Sequence, residues 1–232
     1  MNIEEIRYLL KKGDTVHAKE LAESLEKMKE HAVSSHDEAE ANVLWCYEQI
    51  NLIQCEYVNA FNHLKTAMTA EDEFIDDFDT PKSKEYEAAW LCLDRCDIDI
   101  SYLERNYCIA DFSMEECHIT DILEDIQKLR PLFPYKWFLS HEMTIEKQVC
   151  NICEKEIQVR HPCGHKAGKI YQGKLCLHEI TECKIIAECI VTNPFDKYTV
   201  LKESGKKYDF KVLDYIIPHI EPYSSWSYTV KE

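Results

Sequence analysis

Apolar positions recur every three or four residues through the first half of the chain, a period that predicts helices. Ile3, Ile6, Leu9 and Leu10 mark the first, over 3–12, and Gly13-Asp14 ends it before Val16, Leu21, Ala22, Leu25 and Met28 open a second. These two should form a helical hairpin. A second pair is predicted from Ala39, Val43, Leu44, Tyr47 and Ile50, followed by Tyr57, Ala60, Phe61, Leu64 and Ala67. Residues 83–107 predict a long helix with Tyr86, Ala89, Trp90, Leu93, Cys96, Ile100 and Leu103 on its inner face, and an aromatic stripe at that spacing reads as core. Ser113 and Glu116 have capping-box spacing for another helix over about 114–130, which Pro131 stops.

Between the helices lies AEDEFIDDFDTPKS, residues 70–83, whose like charges and proline predict a connecting loop. The aromatic stretch PLFPYKWFLSHEM, residues 131–143, is too apolar to stay wet and should pack the C-terminal module onto the helices. After it the period changes to alternation. Strands are predicted at 157–160, 169–171, 175–180, 184–191 and 197–201, separated by Gly164, Gly168, Gly173 and Asn193-Pro194. A helix over 208–220 and a tail packing back through Trp226 complete the expectation. The fold class is α+β: N-terminal antiparallel helical hairpins over 1–135, then a small β-rich module over 136–232.

That module holds the candidate chemistry. Six of the twelve cysteines fall between Cys150 and Cys189. Cys150 and Cys153 form a C-x2-C pair, whose short loop lets two thiolates reach one ion while turn N–H groups bond to the sulfurs. Further ligands are offered by Cys163 and His165 in CGH, and by Cys176 and His178 in CLH. The expected zinc set is Cys150, Cys153 and Cys176, with Cys163 and His165 competing for the last place. Cys183 and Cys189 sit in the apolar run CKIIAECIV and read as core positions of a strand. A redox use of C-x-x-C would need a helix after the motif, whereas EKEIQVRH alternates.

With 232 residues the chain can bury a substantial core. No run is long and apolar enough for a membrane span, and MNIEEIRYLLKKGD lacks the pattern of an export leader, so a soluble, cytoplasmic protein is expected. The formal charge of -16 lies entirely in residues 1–140, with 14 basic against 30 acidic side chains. Such a surface repels phosphate backbones and would steer a basic protein partner towards it.

Two stretches carry family resemblances. EYVNAFNHLKTA, residues 56–67, resembles the second helix of a tetratricopeptide repeat, and GDTVHAKELAESLEK is similar, which implies stacked helical hairpins. CNICEKEIQVRHPCGH resembles the opening of a RING finger, which would imply ubiquitin-ligase activity, but no second set of close ligand pairs follows Cys176. Over residues 131–216 the chain is also similar to uncharacterised bacterial proteins that join a helical part to a zinc-ribbon-like β module. That likeness implies an architecture and no activity.

The expected function is a non-catalytic protein-interaction adaptor with a structural zinc site. The alternatives are a nucleic-acid-binding zinc ribbon, an acidic inhibitor or immunity-type protein, and a RING-like ligase. Residues 147–184 carry seven basic against four acidic side chains, which is no basic stripe. A deaminase would need H-x-E with P-C-x-x-C, and that order is absent.

Overall fold

A computed structural model of the chain describes residues 1–70, 81–106, 113–133, 135–158, 160–194 and 199–201. Most of the acidic connection expected over 70–83, the helix expected over 208–220, and Trp226 lie outside the described residues.

Helix α1 (Ile3–Lys12) starts at Asn2, whose side chain accepts from the Glu5 N–H at 3.0 Å while the Glu5 carboxylate accepts from the Asn2 N–H at 2.9 Å. Gly13 closes it in the left-handed region. Helix α2 (Ala18–Ser34) buries Leu21, Leu25 and Ala32. Val16 stands ahead of it, exposed, and Ala22 also faces solvent, so the inner face is narrower than the sequence predicts.

The second predicted pair of helices is instead one helix, α3 (Glu38–Thr69), of 32 residues and about 48 Å. Polar Gln54, Cys55 and Glu56 interrupt the apolar pattern there, but no glycine or proline breaks the backbone. Gln54 is buried rather than in a turn, and its amide donates to the carbonyls of Leu10 at 2.8 Å and Cys117 at 2.9 Å. The repeat-like hairpin over 39–67 is therefore absent. α3 packs against α2, which a three-residue turn joins to it, and against α4 (Pro81–Asn106). All seven residues predicted for the inner face of α4 are buried.

Ser113 and Glu116 do form the reciprocal cap, at 2.9 and 3.2 Å. What they cap is a 3-10 turn, Glu115–Cys117, ended by His118 at φ 61°. Helix α5 (Ile119–Leu129) starts beyond it and is shorter than predicted. Arg130 then reaches back to α4, 2.8 Å from Asp97 and 3.4 Å from the buried Asp94. The aromatic connection packs as expected: Phe133 meets Trp90 edge-on at 4.1 Å, and Phe138 stacks on the same indole at 6.1 Å.

Strand β1 (Phe138–Cys150) begins inside the stretch read as a connection and pairs antiparallel with β4 (His178–Val191). Between them a small hairpin joins β2 (Ile170–Tyr171) and β3 (Lys174–Leu175). The strand predicted at 157–160 is reduced to isolated bridges, Glu156 with Val149 and His161 with Gln158. Of the strand predicted at 197–201 only its end is described, where Val200 bridges Phe138. The β1–β4 ribbon joins the main core at one end, through Phe138 and Val191, is exposed along its middle, and is buried again at Cys150. Cys183 and Cys189, expected in the core, are exposed, because β4 is exposed or half-buried along its whole length. The order of elements is α+β. One buried cluster runs from the helices through Phe133, Tyr135 and Phe138 to Ile170 of β2. No described helix is long and apolar enough to cross a membrane.

Candidate metal centre

Cys150 ends β1, fully buried. The chain then turns sharply: the Glu154 N–H donates to the Cys150 carbonyl at 2.8 Å, with Glu154 at φ 57°, and the Cys150 N–H donates to the Lys155 carbonyl at 3.0 Å. This turn returns Cys153 to the side of Cys150. Asn151 fastens it to the segment after β3, donating to the Leu175 carbonyl at 3.0 Å and accepting from the Leu177 N–H at 2.8 Å. Cys176 lies between those two attachment points.

The second arm is the loop 160–169. Gly164, at φ 93°, gives the left-handed step that separates Cys163 from His165. Tyr171 holds the result: its hydroxyl accepts from the Lys166 N–H at 3.0 Å, and its ring meets the His165 imidazole edge-on at 4.6 Å. Asn151 and Tyr171 carry this support and were not singled out from sequence. Asn151 had a signal, as a turn former inside C-x2-C, whereas Tyr171 had none.

The donor atoms of Cys150, Cys153, Cys163 and His165 lie within 4.8 Å of one another, so these four could hold a metal ion. Cys150 Sγ is 3.7 Å from His165 Nδ1. Sequence spacing sets Cys163 against His165 for one place, and the structure brings both to the first pair. Cys176 stands beside the four, with its sulfur 3.9 Å from Cys150 Sγ. His178 faces Cys150 across the β1–β4 ladder, and its Nε2 is enclosed without a hydrogen-bond partner among the described residues. Cys183 and Cys189 lie further along the ribbon and outside this group.

Within the cluster Cys150 is the thiol drawn towards the thiolate. Burial pushes the Cys150 thiol up, but the N–H groups of Cys153 and Ile152 and the thiols of Cys163 and Cys153 outweigh it and bring it down to about 6. Burial first, and then proton donation to Cys150, pushes Cys176 up to about 11. A metal ion is bound by thiolate sulfur and neutral imidazole, so its binding at these donors would release protons.

The site is bolted to the helices at two places. Asn106, the last residue of α4, donates to the Gly168 carbonyl at 2.9 Å, and the Gly168 N–H donates to the Cys176 carbonyl at 2.8 Å. At the β2–β3 turn the Gly173 N–H donates to Asn42 of α3 at 2.8 Å, with Ile170 buried in the main core beside it. Family models, curated proteins and solved structures were compared with the chain, and none matches.

Proposed function

We propose that Cys150, Cys153, Cys163 and His165 hold one zinc ion in a structural role, and that the chain is a non-catalytic protein-interaction adaptor. The observation that carries the metal reading is the mutual proximity of those four donors within 4.8 Å. Zinc favours thiolate and imidazole donors in a tetrahedron, with edges of about 3.8 Å between sulfurs and about 3.5 Å from sulfur to nitrogen. The 3.7 Å from Cys150 Sγ to His165 Nδ1 fits such an edge. Four protein donors leave no position open for water, which favours an architectural ion over a hydrolytic one. The binding energy of that ion would then be folding energy for a segment whose own strands are two residues long around the site.

The adaptor reading rests on the helical part, which carries the whole formal charge and would attract a basic protein. Metal analysis of the untagged chain tests the first half, with one zinc per chain expected. The double variant Cys150→Ser, Cys153→Ser should lose that zinc and melt at lower temperature; full zinc with unchanged melting would overturn the assignment. Binding to duplex or single-stranded oligonucleotide that weakens steeply with salt would replace the adaptor by a nucleic-acid binder.

A further inference from the structure

Five donors converge at a site whose tetrahedral ion takes four. Cys176 is the one outside the set, and its sulfur stands 3.9 Å from Cys150 Sγ, a gap that a disulfide closes to about 2.05 Å. The backbone holds it there. The Cys176 N–H donates to the Lys169 carbonyl and the Cys176 carbonyl accepts from the Gly168 N–H, both at 2.8 Å, while Asn151 is bonded to Leu175 and Leu177 on either side. Cys150 is fixed too, with its N–H on the Lys155 carbonyl at 3.0 Å and its carbonyl accepting from the Glu154 N–H at 2.8 Å. Two sulfurs kept side by side, one on the ion and one off it, are the parts of a thiol switch.

We infer that a small hydroperoxide joins Cys150 to Cys176 in a disulfide and that this oxidation expels the ion. The inference rests on the zinc reading above, with Cys176 outside the four ligands. With hydrogen peroxide as the oxidant, the metal-held Cys150 thiolate attacks one peroxide oxygen. An S–O bond forms, the O–O bond breaks, and the departing hydroxide takes a proton from solvent and leaves as water. The Cys176 thiol then attacks the Cys150 sulfenic sulfur, so that the S–S bond forms as the S–O bond breaks, and its proton leaves with the hydroxyl as a second water. The two sulfurs lose the two electrons that the peroxide oxygens gain. Pairing Cys150 with Cys153 or Cys163 would strip the ion of two ligands, whereas Cys176 holds none of it and costs it one. Cys150 and Cys176 are fully buried, and the half-buried Cys153, Cys163 and His165 form the side nearer solvent, which limits the oxidant to a small peroxide. Three remaining donors should hold zinc at least about 100-fold more weakly than four.

The test treats the full zinc-loaded chain with a small molar excess of hydrogen peroxide. Zinc release is followed with a chelating dye, and disulfides are mapped by mass spectrometry of peptides after the remaining thiols are blocked. A Cys150–Cys176 linkage should appear in step with zinc release, and a thiol reductant with added zinc should reverse both. Cys176→Ser should bind zinc as the native chain does and release it at least roughly tenfold more slowly. The double variant Cys183→Ser, Cys189→Ser, which removes the exposed thiols of β4, should behave as the native chain. Equally fast release from Cys176→Ser, a native linkage of Cys150 to Cys153 or Cys163 instead, or loss of zinc on Cys176→Ser alone would each overturn the inference. A chain without zinc before oxidation refutes the metal reading and with it the expulsion of an ion, whereas bound zinc with no Cys150–Cys176 linkage refutes this inference only.

Discussion

The side-chain amide of Asn106 donates to the backbone carbonyl of Gly168 at 2.9 Å, which ties the end of α4 to the loop that carries the metal cluster. Asn106 is itself almost fully buried, and the same amide also donates to the Tyr102 carbonyl at 2.8 Å. Asn106→Ala removes the tether and leaves a buried carbonyl without its donor. A loss of about 1 to 3 kcal/mol in urea unfolding is expected, with faster transfer of bound zinc to a chelating dye.

Cobalt substitution separates the fifth sulfur from the other donors. With Cys150, Cys153, Cys163 and His165 as ligands, the cobalt form should show the absorption of three thiolates and one imidazole. Cys176→Ser should leave spectrum and stoichiometry unchanged, whereas Cys163→Ser should weaken binding by about 100-fold or more. The reverse pattern would put Cys176 in the shell in place of Cys163.

Asp99 gives a pH dependence of defined sign. Burial, then the Glu56 carboxylate, raises its pKa to about 6 against the opposing charge of Arg95. In the unfolded chain the same group titrates near about 3.9. A folded value above the unfolded one means the folded state takes up the extra proton, so the contribution of this group is fully present below about 4 and is lost as pH rises through about 6. Asp99→Asn should therefore stabilise the chain at neutral pH by about 1 to 2 kcal/mol and flatten its melting profile between those values.

Gly173 is constrained twice. Its φ is 70°, and an added Cβ would stand 3.0 Å from the Ala41 carbonyl oxygen of α3, an atom that cannot swing aside. Gly173→Ala is expected to cost about 2 to 3 kcal/mol. Gly164→Ala meets nothing within 4 Å and faces only the backbone cost at φ 93°, about 1 kcal/mol. Chemical denaturation of the two variants side by side should give that order.

Much of the helical part was legible because its inner faces obey one period. On α4 every position from Tyr86 to Leu103 singled out by spacing is buried. The misreading of α3 has a physical cause: a buried amide such as Gln54 looks like a loop residue in sequence, since its partners, the carbonyls of Leu10 and Cys117, are distant along the chain. β1 was missed for a related reason. Its middle, from His141 to Glu146, is exposed on both faces and has no alternation of buried and exposed positions to reveal it. Spacing also identified the five cysteine and histidine donors that converge near Cys150, but ranking them depends on the step at Gly164 and the hold of Tyr171, which the spacing does not encode.

The unbroken α3 touches α1, α2, α4, α5 and β2, so each of these leans on the same rigid rod and none leans on a joint. A cysteine-rich segment resting on the first turns of that rod should not melt as a separate event. Heat or a chelator strong enough to free it would uncover the rod's leading end, and calorimetry should record one transition that shifts as a whole.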